Sequence, residues 1–285
     1  MSDQSFKNIV VGVDFSKYSQ LVYKQALNLA KRFNAGLHVV YAAEDPANFG
    51  GAVFYTAGFH YVPPGNEEME NNLRRVYKVE DSAVLHFGTG DVVSKINAVA
   101  ETLPHPLIVI GAGGHSLASR FILGTHAEKI ALEAKYPVWV HRGNRVRHFQ
   151  HILLPIDFSP ETQSAVDYFK NISGDTSVRL NYLHVYLQSV PGLDFKSYVL
   201  WQKMYKKQMQ IDAAAFKKRN PGLKLKVTPG NPAEEIIERA REYDLIAMVP
   251  HNKSGLFQRF GRITAKVMRL SPVPVLIFKT GGVKS

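Results

Sequence analysis

Ile9-Val-Val-Gly-Val-Asp14-Phe15-Ser16 returns 143 residues later as Ile152-Leu-Leu-Pro-Ile-Asp157-Phe158-Ser159. Each stretch is a short apolar run closed by Asp-Phe-Ser, which reads as a strand followed by a turn and a helix cap. The correspondence runs on down the chain. Gln20 meets Gln163, and Tyr41-Ala42 meets His184-Val185, at that same offset of 143. Gly90 meets Gly230 at 140, Leu107-Ile108 meets Leu245-Ile246 at 138, and Pro137-Val138 meets Pro274-Val275 at 137. A register that drifts by only six residues over a whole half is a duplication with small insertions and deletions.

Each half alternates strand and helix. Ile9–Val13 is apolar throughout and rich in β-branched residues, the pattern of a strand buried on both faces. Ser16 and Ser159 are placed to cap the next helix, and Pro160 stands at the favoured first helical position. Val22, Ala26, Leu29 and Phe33 give that helix one apolar face, as Ala165, Phe169 and Ile172 do in the second copy. Further strands are expected at 37–42, 84–87, 107–110 and 138–141. Their counterparts are 180–185, 223–227, 245–249 and 275–278, with helices at 92–103 and 232–243. Such alternation predicts, in each half, a five-stranded parallel sheet covered by helices. The expected boundaries are 1–142 for the first domain, 143–150 for a basic linker and 151–285 for the second. Glu44–Gly65, with four Gly and three Pro, reads as a long loop.

A chain of 285 residues with no cysteine can build two cores without disulfide staples. It also offers no Cys nucleophile, thiolate zinc site or iron–sulfur cluster. The start of the chain lacks a secretory signal pattern, and no apolar stretch reaches the ~18 residues of a spanning helix. The expectation is a cytoplasmic protein without membrane contact. The net charge of +11 is uneven: residues 1–148 carry 15 basic and 13 acidic side chains, and residues 149–285 carry 20 and 11.

The residues with the strongest chemical signal follow the fourth strand of the first half. Ile110-Gly111-Ala-Gly113-Gly114 is followed after nine further residues by Gly124-Thr125-His126. Glycines there let backbone approach a phosphate, and a helix starting near Thr125 adds N–H donors and a favourable dipole. The Thr125 hydroxyl can meet a phosphate or its Mg²⁺. The carboxyl ends of parallel strands are where open α/β sheets bind ligands, and Asp14 ends the first strand. The bland alternative makes the glycines a tight turn and Asp14 a cap; spacing alone leaves the two even.

At these residues the chain resembles the universal stress protein family. The similarity is carried by the strand Ile9–Asp14, the Gly111-x-x-Gly114-x9-Gly124-Thr125 loop, Glu128 in the following helix and Pro137-Val138. The duplication resembles tandem members of that family. The resemblance implies two Rossmann-like, adenine nucleotide alpha hydrolase-like domains related by a pseudo-twofold. It also implies that the fifth strands, 138–141 and 275–278, pair internally. In nucleotide-binding members it implies ATP, with or without Mg²⁺. Gly12, Asp14 and Ala42 would then lie at the base and ribose, Ile110, Gly111, Gly113 and Gly114 along ribose and phosphates, and Gly124, Thr125 and His126 at the phosphate tail. Ala42 departs from the commoner valine.

The second half departs further. Aligned through Leu245-Ile246, its loop is Val249-Pro250-His251-Asn252, with Arg262-Ile263 in place of Gly124-Thr125. Pro250 has no N–H to donate. The expectation is one nucleotide site, in the first half only.

Other chemistry finds little support. There is no His-Glu-x-x-His, and His148-x-x-His151 reads as a solvated linker pair. His115 and His126 bracket the loop and either touch phosphate or sit at the surface. No Gly-x-Ser-x-Gly elbow or Walker loop occurs, so no catalytic residue is assigned and at most slow hydrolysis is expected. Tyr198, Trp201 and Tyr205 among the lysines of 203–226 have the look of a single-strand nucleic-acid surface. The reading adopted is an amphipathic helix with aromatics in the core and lysines in water. Two functional classes compete with a nucleotide-binding regulatory module: a non-catalytic interaction protein using the cleft and the basic second half, and a nucleotide hydrolase or transferase of related fold.

Overall fold

Asn8–Val13 forms β1, in which Ile9, Val10 and Val11 are wholly buried. Successive side chains of a strand point to opposite faces, so this burial requires cover on both. The computed structural model of the chain describes residues 5–43, 66–113, 123–172, 178–187, 192, 194–250 and 261–279. Glu44–Gly65, Gly114, His115, His251 and Asn252 lie outside the described residues. The chain divides into two compact units, Ser5–Val146 and Arg147–Thr280.

The first unit runs β1, α1 (Lys17–Phe33), β2 (Gly36–Ala43), α2 (Asn66–Tyr77), β3 (Val84–Thr89), α3 (Val92–Glu101), β4 (Pro106–Gly111), α4 (Thr125–Glu133) and β5 (Val138–His141). Its strand order is β3-β2-β1-β4-β5, all parallel. The chain builds outward from β1 in one direction, then returns to place β4 on its other side. The gap between the carboxyl ends of β1 and β4 is therefore the topological switch point, where helices leave opposite faces of the sheet. Ser16 caps α1 by accepting from the Ser19 N–H, as its residue type and position predict.

The second unit repeats this plan with β6 (His151–Pro155), α5 (Pro160–Ile172), β7 (Arg179–Tyr186), α6 (Phe195–Arg219), β8 (Leu225–Pro229), α7 (Pro232–Arg239), β9 (Leu245–Met248), α8 (Arg262–Leu270) and β10 (Val275–Ile277). Its order is β8-β7-β6-β9-β10, again parallel. The stretch read as a linker, 143–150, includes Phe149, which is buried and stacks near Phe169 at 6.4 Å.

Two features differ from the sequence reading. The helix α2 carries too little apolar periodicity to stand out; its signal is the pairing of Glu67 and Glu68 in the first turn with Arg74 and Arg75 in the last. Tyr198, Trp201 and Tyr205 at the start of α6 do not enter the core. Only Ala213 and Phe216 of its 25 residues are buried, while Tyr198, Trp201 and Tyr205 are half-buried. At ~1.5 Å per residue such a helix outruns the strands beneath it, and burial is confined to its carboxyl-terminal third.

Candidate functional site

The Asp-Phe-Ser turn that follows β1 places the first half of the site. Phe15 adopts a φ of 62°, and Phe158 in the second unit a φ of 63°. A left-handed conformation costs a bulky residue roughly 1–2 kcal/mol, so each turn must be held from outside. The Phe15 ring rests on Tyr41 at 5.0 Å and Tyr77 at 5.9 Å. Phe158 rests on His184 at 4.3 Å and Phe216 at 5.5 Å. In the first unit the Phe15 N–H also donates to the Tyr77 hydroxyl at 2.7 Å, and that hydroxyl meets Ser19 Oγ at 3.0 Å. Burial pushes the Tyr77 phenol up, so it is neutral around pH 7.

Asp14 Oδ1 accepts from the Ser16 N–H at 3.0 Å, which folds the turn onto the start of α1. Asp157 does the same for Ser159 at 3.1 Å and takes a second bond from the Thr162 hydroxyl at 2.7 Å. Capping is thus common to both copies and does not distinguish them. The surroundings do.

In the first unit a cleft of about 140 Å³ opens at the switch point, lined by Gly12, Asp14, Ser16, Tyr18, Ile96, Ile110, Gly111, Gly113, His126 and others. The structure brings together six of the residues expected from sequence: Gly12, Asp14, Ile110, Gly111, Gly113 and His126. Ala42 does not line it; that residue pairs with Gly88 along β2. Gly124 and Thr125 stand at the start of α4 beside His126 without lining the cleft, and Gly114 lies outside the described residues. Sequence reasoning missed Tyr18, Ser19, Val22, Val92, Ile96, Ala127 and Ile130, which come from the first two turns of α1, α3 and α4; of them only Val22 was singled out, on the apolar face of α1.

Glycine is used here for closeness. A β-carbon on Gly111 would fall 2.9 Å from Tyr18 Cε1 and 3.1 Å from Val22 Cγ2. One on Gly12 would fall 2.7 Å from Ile96 Cδ1. Tyr18 is itself fixed, donating its hydroxyl to the His141 carbonyl at 2.8 Å. The Ala112 N–H donates to the same carbonyl at 3.0 Å, and the Ala112 carbonyl accepts from Gly124 N–H at 2.7 Å. These bonds bring the start of α4 back to the end of β4. Gly124 offers no side chain to cap α4, which leaves first-turn donors for another acceptor. The volume is below the ~300–1,000 Å³ of common ligand pockets, so a nucleotide would extend past the cleft along α4. Flat glycine walls, a carboxylate at one end and an uncapped helix start at the other fit such a ligand. Among the described residues, no group of three or more His, Asp or Glu gathers as a metal cage.

At the corresponding switch point of the second unit, Pro155 replaces Gly12, Val249 replaces Gly111 and Pro250 replaces Ala112. The equivalent of Gly124 is Gly261, the residue before α8, so the Gly-Thr end has become Gly261-Arg262 and not Arg262-Ile263. The loop between strand and helix is one residue shorter than an alignment through β9 assumes. A larger cavity in this unit, about 540 Å³, lies at the amino ends of β6 and β7 against His151, Arg179, Lys224 and Glu242. That end is opposite to the one where open α/β sheets gather ligands.

The sequence pattern of the universal stress protein family matches the chain twice, over residues 5–142 and 148–279. A universal stress protein of Mycolicibacterium smegmatis is 23% identical over 293 aligned positions, covering 95% of this chain and 96% of that one. Among solved structures, a protein of unknown function from Pseudomonas aeruginosa PAO1 superposes with a TM-score of 0.71 at 16% identity, covering 97% of this chain and 93% of that one. A universal stress protein from Archaeoglobus fulgidus gives 0.63 at 19% identity, covering 95% and 98%. At these identities the structural likeness speaks for the fold. No helix among the described residues is long and apolar enough to cross a membrane.

Proposed function

Because the chain belongs to the universal stress protein family, we propose that its first half is an ATP-class nucleotide-binding module with a regulatory role in the cytoplasmic stress response. The observation that carries this reading is the glycine-walled cleft at the switch point between β1 and β4. Asp14 is placed for the base or ribose end, and Gly111, Gly113 and the start of α4 for the phosphates. With the phosphate tail at Thr125, its hydroxyl is available to Mg²⁺ carried by the ligand. Among the described residues, Asp14 and His126 are the lining groups able to accept a proton; both are assigned here to binding, at the base end and the phosphate end, so slow hydrolysis at most is the expected behaviour.

The second half is proposed to bind no nucleotide at the matching place. Pro250 removes an N–H donor, and Pro155 and Val249 add side-chain bulk where the first half has glycine. The test is a calorimetric titration of the full chain with Mg-ATP, together with mass spectrometry of small molecules released from purified protein. One site per chain is expected. Two equivalent sites would sink the asymmetry, no binding would sink the module, and rapid phosphate release would move the protein to the hydrolases.

A further inference from the structure

Helix α6 presents a face that the second unit does not cover. Among the described residues, five of the ten exposed large hydrophobic side chains belong to this one helix: Phe195, Val199, Leu200, Met204 and Ile211. Phe195 is 80% exposed and Met204 64%. Contiguous exposed apolar surface on a soluble fold marks a contact surface. The same helix carries Lys196, Lys203, Lys206, Lys207, Lys217, Lys218 and Arg219 against a single acid, Asp212.

Their arrangement says what kind of contact. At about 100° per residue, Leu200, Met204 and Ile211 fall within about 40° of one another, and Lys196, Lys203 and Lys207 form an equally narrow stripe beside them. Phe195 and Val199 flank that ridge on its other side. Basic and apolar side chains therefore alternate in strips across the exposed arc. A helix that lies in a bilayer separates them to opposite faces; here a flat membrane would press the lysine ridge into hydrocarbon. A nucleic acid would use the lysines and an aromatic platform. The aromatics are instead stacked on each other, Trp201 on Tyr205 at 5.0 Å and 11° and Tyr198 on Trp201 at 6.3 Å, with Tyr186 6.5 Å from Tyr205. A second copy of α6 would bring like charges together.

We propose that this face docks an acidic amphipathic helix of a partner protein. Its apolar side chains would seat on Leu200, Met204 and Ile211, and its carboxylates on Lys196, Lys203 and Lys207. The contact is independent of the nucleotide cleft and stands or falls without it. Burial of apolar stripes supplies the affinity, while the lysine ridge selects the sign of the partner and speeds encounter.

The test selects binders from a displayed library of random peptides of ~16 residues, about four helical turns, against the full chain at ~150 mM salt. Enriched peptides should be net acidic with apolar residues at i, i+4 and i+7 or i+11. A synthesised winner should bind the variant Leu200→Ser/Met204→Ser/Ile211→Ser and the variant Lys203→Glu/Lys207→Glu at least about tenfold more weakly. All these positions are exposed, and circular dichroism checks that both variants remain folded. Basic or patternless peptides, no enrichment, or winners indifferent to both variants would overturn the proposal. So would tighter binding to phosphatidylserine vesicles or to a dT oligonucleotide than to the peptide.

Discussion

The two switch points of this chain were built from one ancestral stretch and now differ in a handful of residues. Both keep the Asp-Phe-Ser turn, the strained phenylalanine and the carboxylate that caps the next helix. The first keeps glycine wherever the opposing walls come close; the second has Pro155, Val249 and Pro250. What the pair teaches is that the turn belongs to the fold, since it survives where those glycines do not. The proposed nucleotide site rests on the glycines.

The sharpest way to break that contrast is to give the first half the second half's residue. Gly111→Val puts a β-carbon 2.9 Å from Tyr18 Cε1 and 3.1 Å from Val22 Cγ2. Overpacking of this kind costs about 1–3 kcal/mol, and Tyr18 lines the cleft, so nucleotide affinity should drop by roughly ten- to a hundredfold. The reverse change, Val249→Gly, should create no second site, because Pro250 and Arg262 remain. Titration of both variants decides; a Gly111→Val protein that binds as before would show that the cleft is not used.

Asp14 and Asp157 separate the cap from the charge. Asparagine at either place still offers an Oδ1 to the Ser N–H two residues on, so both turns should survive. Asp14→Asn should nonetheless weaken nucleotide binding by about 1–3 kcal/mol, the scale of a hydrogen bond to a charged group. Asp157→Asn should leave it untouched. Equal affinities for the two variants would reduce Asp14 to a cap.

How much of this could be read from residue order follows from the range of the interactions. The repeat, the succession of strands and helices and the caps rest on local pattern and offset, and Ser16, Val22, Ala26, Leu29 and Phe33 all behave as their spacing requires. Gly12, Asp14, Ile110, Gly111 and Gly113 converge because strand ends at a switch point must, and His126 joins them from the first turn of α4. Tyr18 and Ile96 were not legible as site residues. Their role depends on how closely two helices approach the sheet, which is set by glycines distant in sequence. The exposed face of α6 was hidden for a similar reason: nothing in its own sequence says that its tertiary cover stops near Ala213.

A smaller contrast concerns the residues that hold each turn from behind. Tyr77 accepts the Phe15 N–H, whereas Phe216, its counterpart against Phe158, has no hydroxyl. Tyr77→Phe should strip that N–H of its acceptor at a cost of about 1–2 kcal/mol. Phe216→Tyr should not stabilise the second half by a matching amount. Hydrogen exchange at the Phe15 amide, with denaturant unfolding followed in each half, measures both. Unchanged protection of Phe15 would mean that Tyr77 acts only through its ring.

The smallest expected effect separates the halves by pH. On β2 and β3, His38 Nδ1 lies 3.1 Å from His86 Nε2, and His38 Nε2 lies 3.1 Å from Asn8 Oδ1. The Asn8 amide nitrogen donates to the Pro104 carbonyl at 2.8 Å, so its oxygen is the acceptor toward His38. His38 then donates from Nε2 and accepts at Nδ1 from the His86 Nε2–H. A proton added to His38 forces His86 into its other tautomer, and protons on both rings set two donors face to face. Burial, and then the His86 charge, push the His38 pKa below its ordinary 6.5; burial, and then Lys95, do the same to His86. As the pH falls below 6.5, the unfolded chain takes up protons that the folded pair refuses. Stability of the first half is therefore complete above that value and is lost as the pH drops through the lowered folded pKa values. Asn181 stands at the position of His38 in the second half, where β7 carries the buried His184, also depressed by burial. Hydrogen exchange over β2–β3 and over β7–β8 at pH 7.5 and pH 5.5, corrected for intrinsic rates, should show the larger acid loss in β2–β3. Glutamine can make both of the His38 bonds without taking a proton, so His38→Gln should shrink that loss while leaving β7–β8 as it was. Equal acid losses in the two regions, or a His38→Gln protein with the full loss, would remove the pair as the cause.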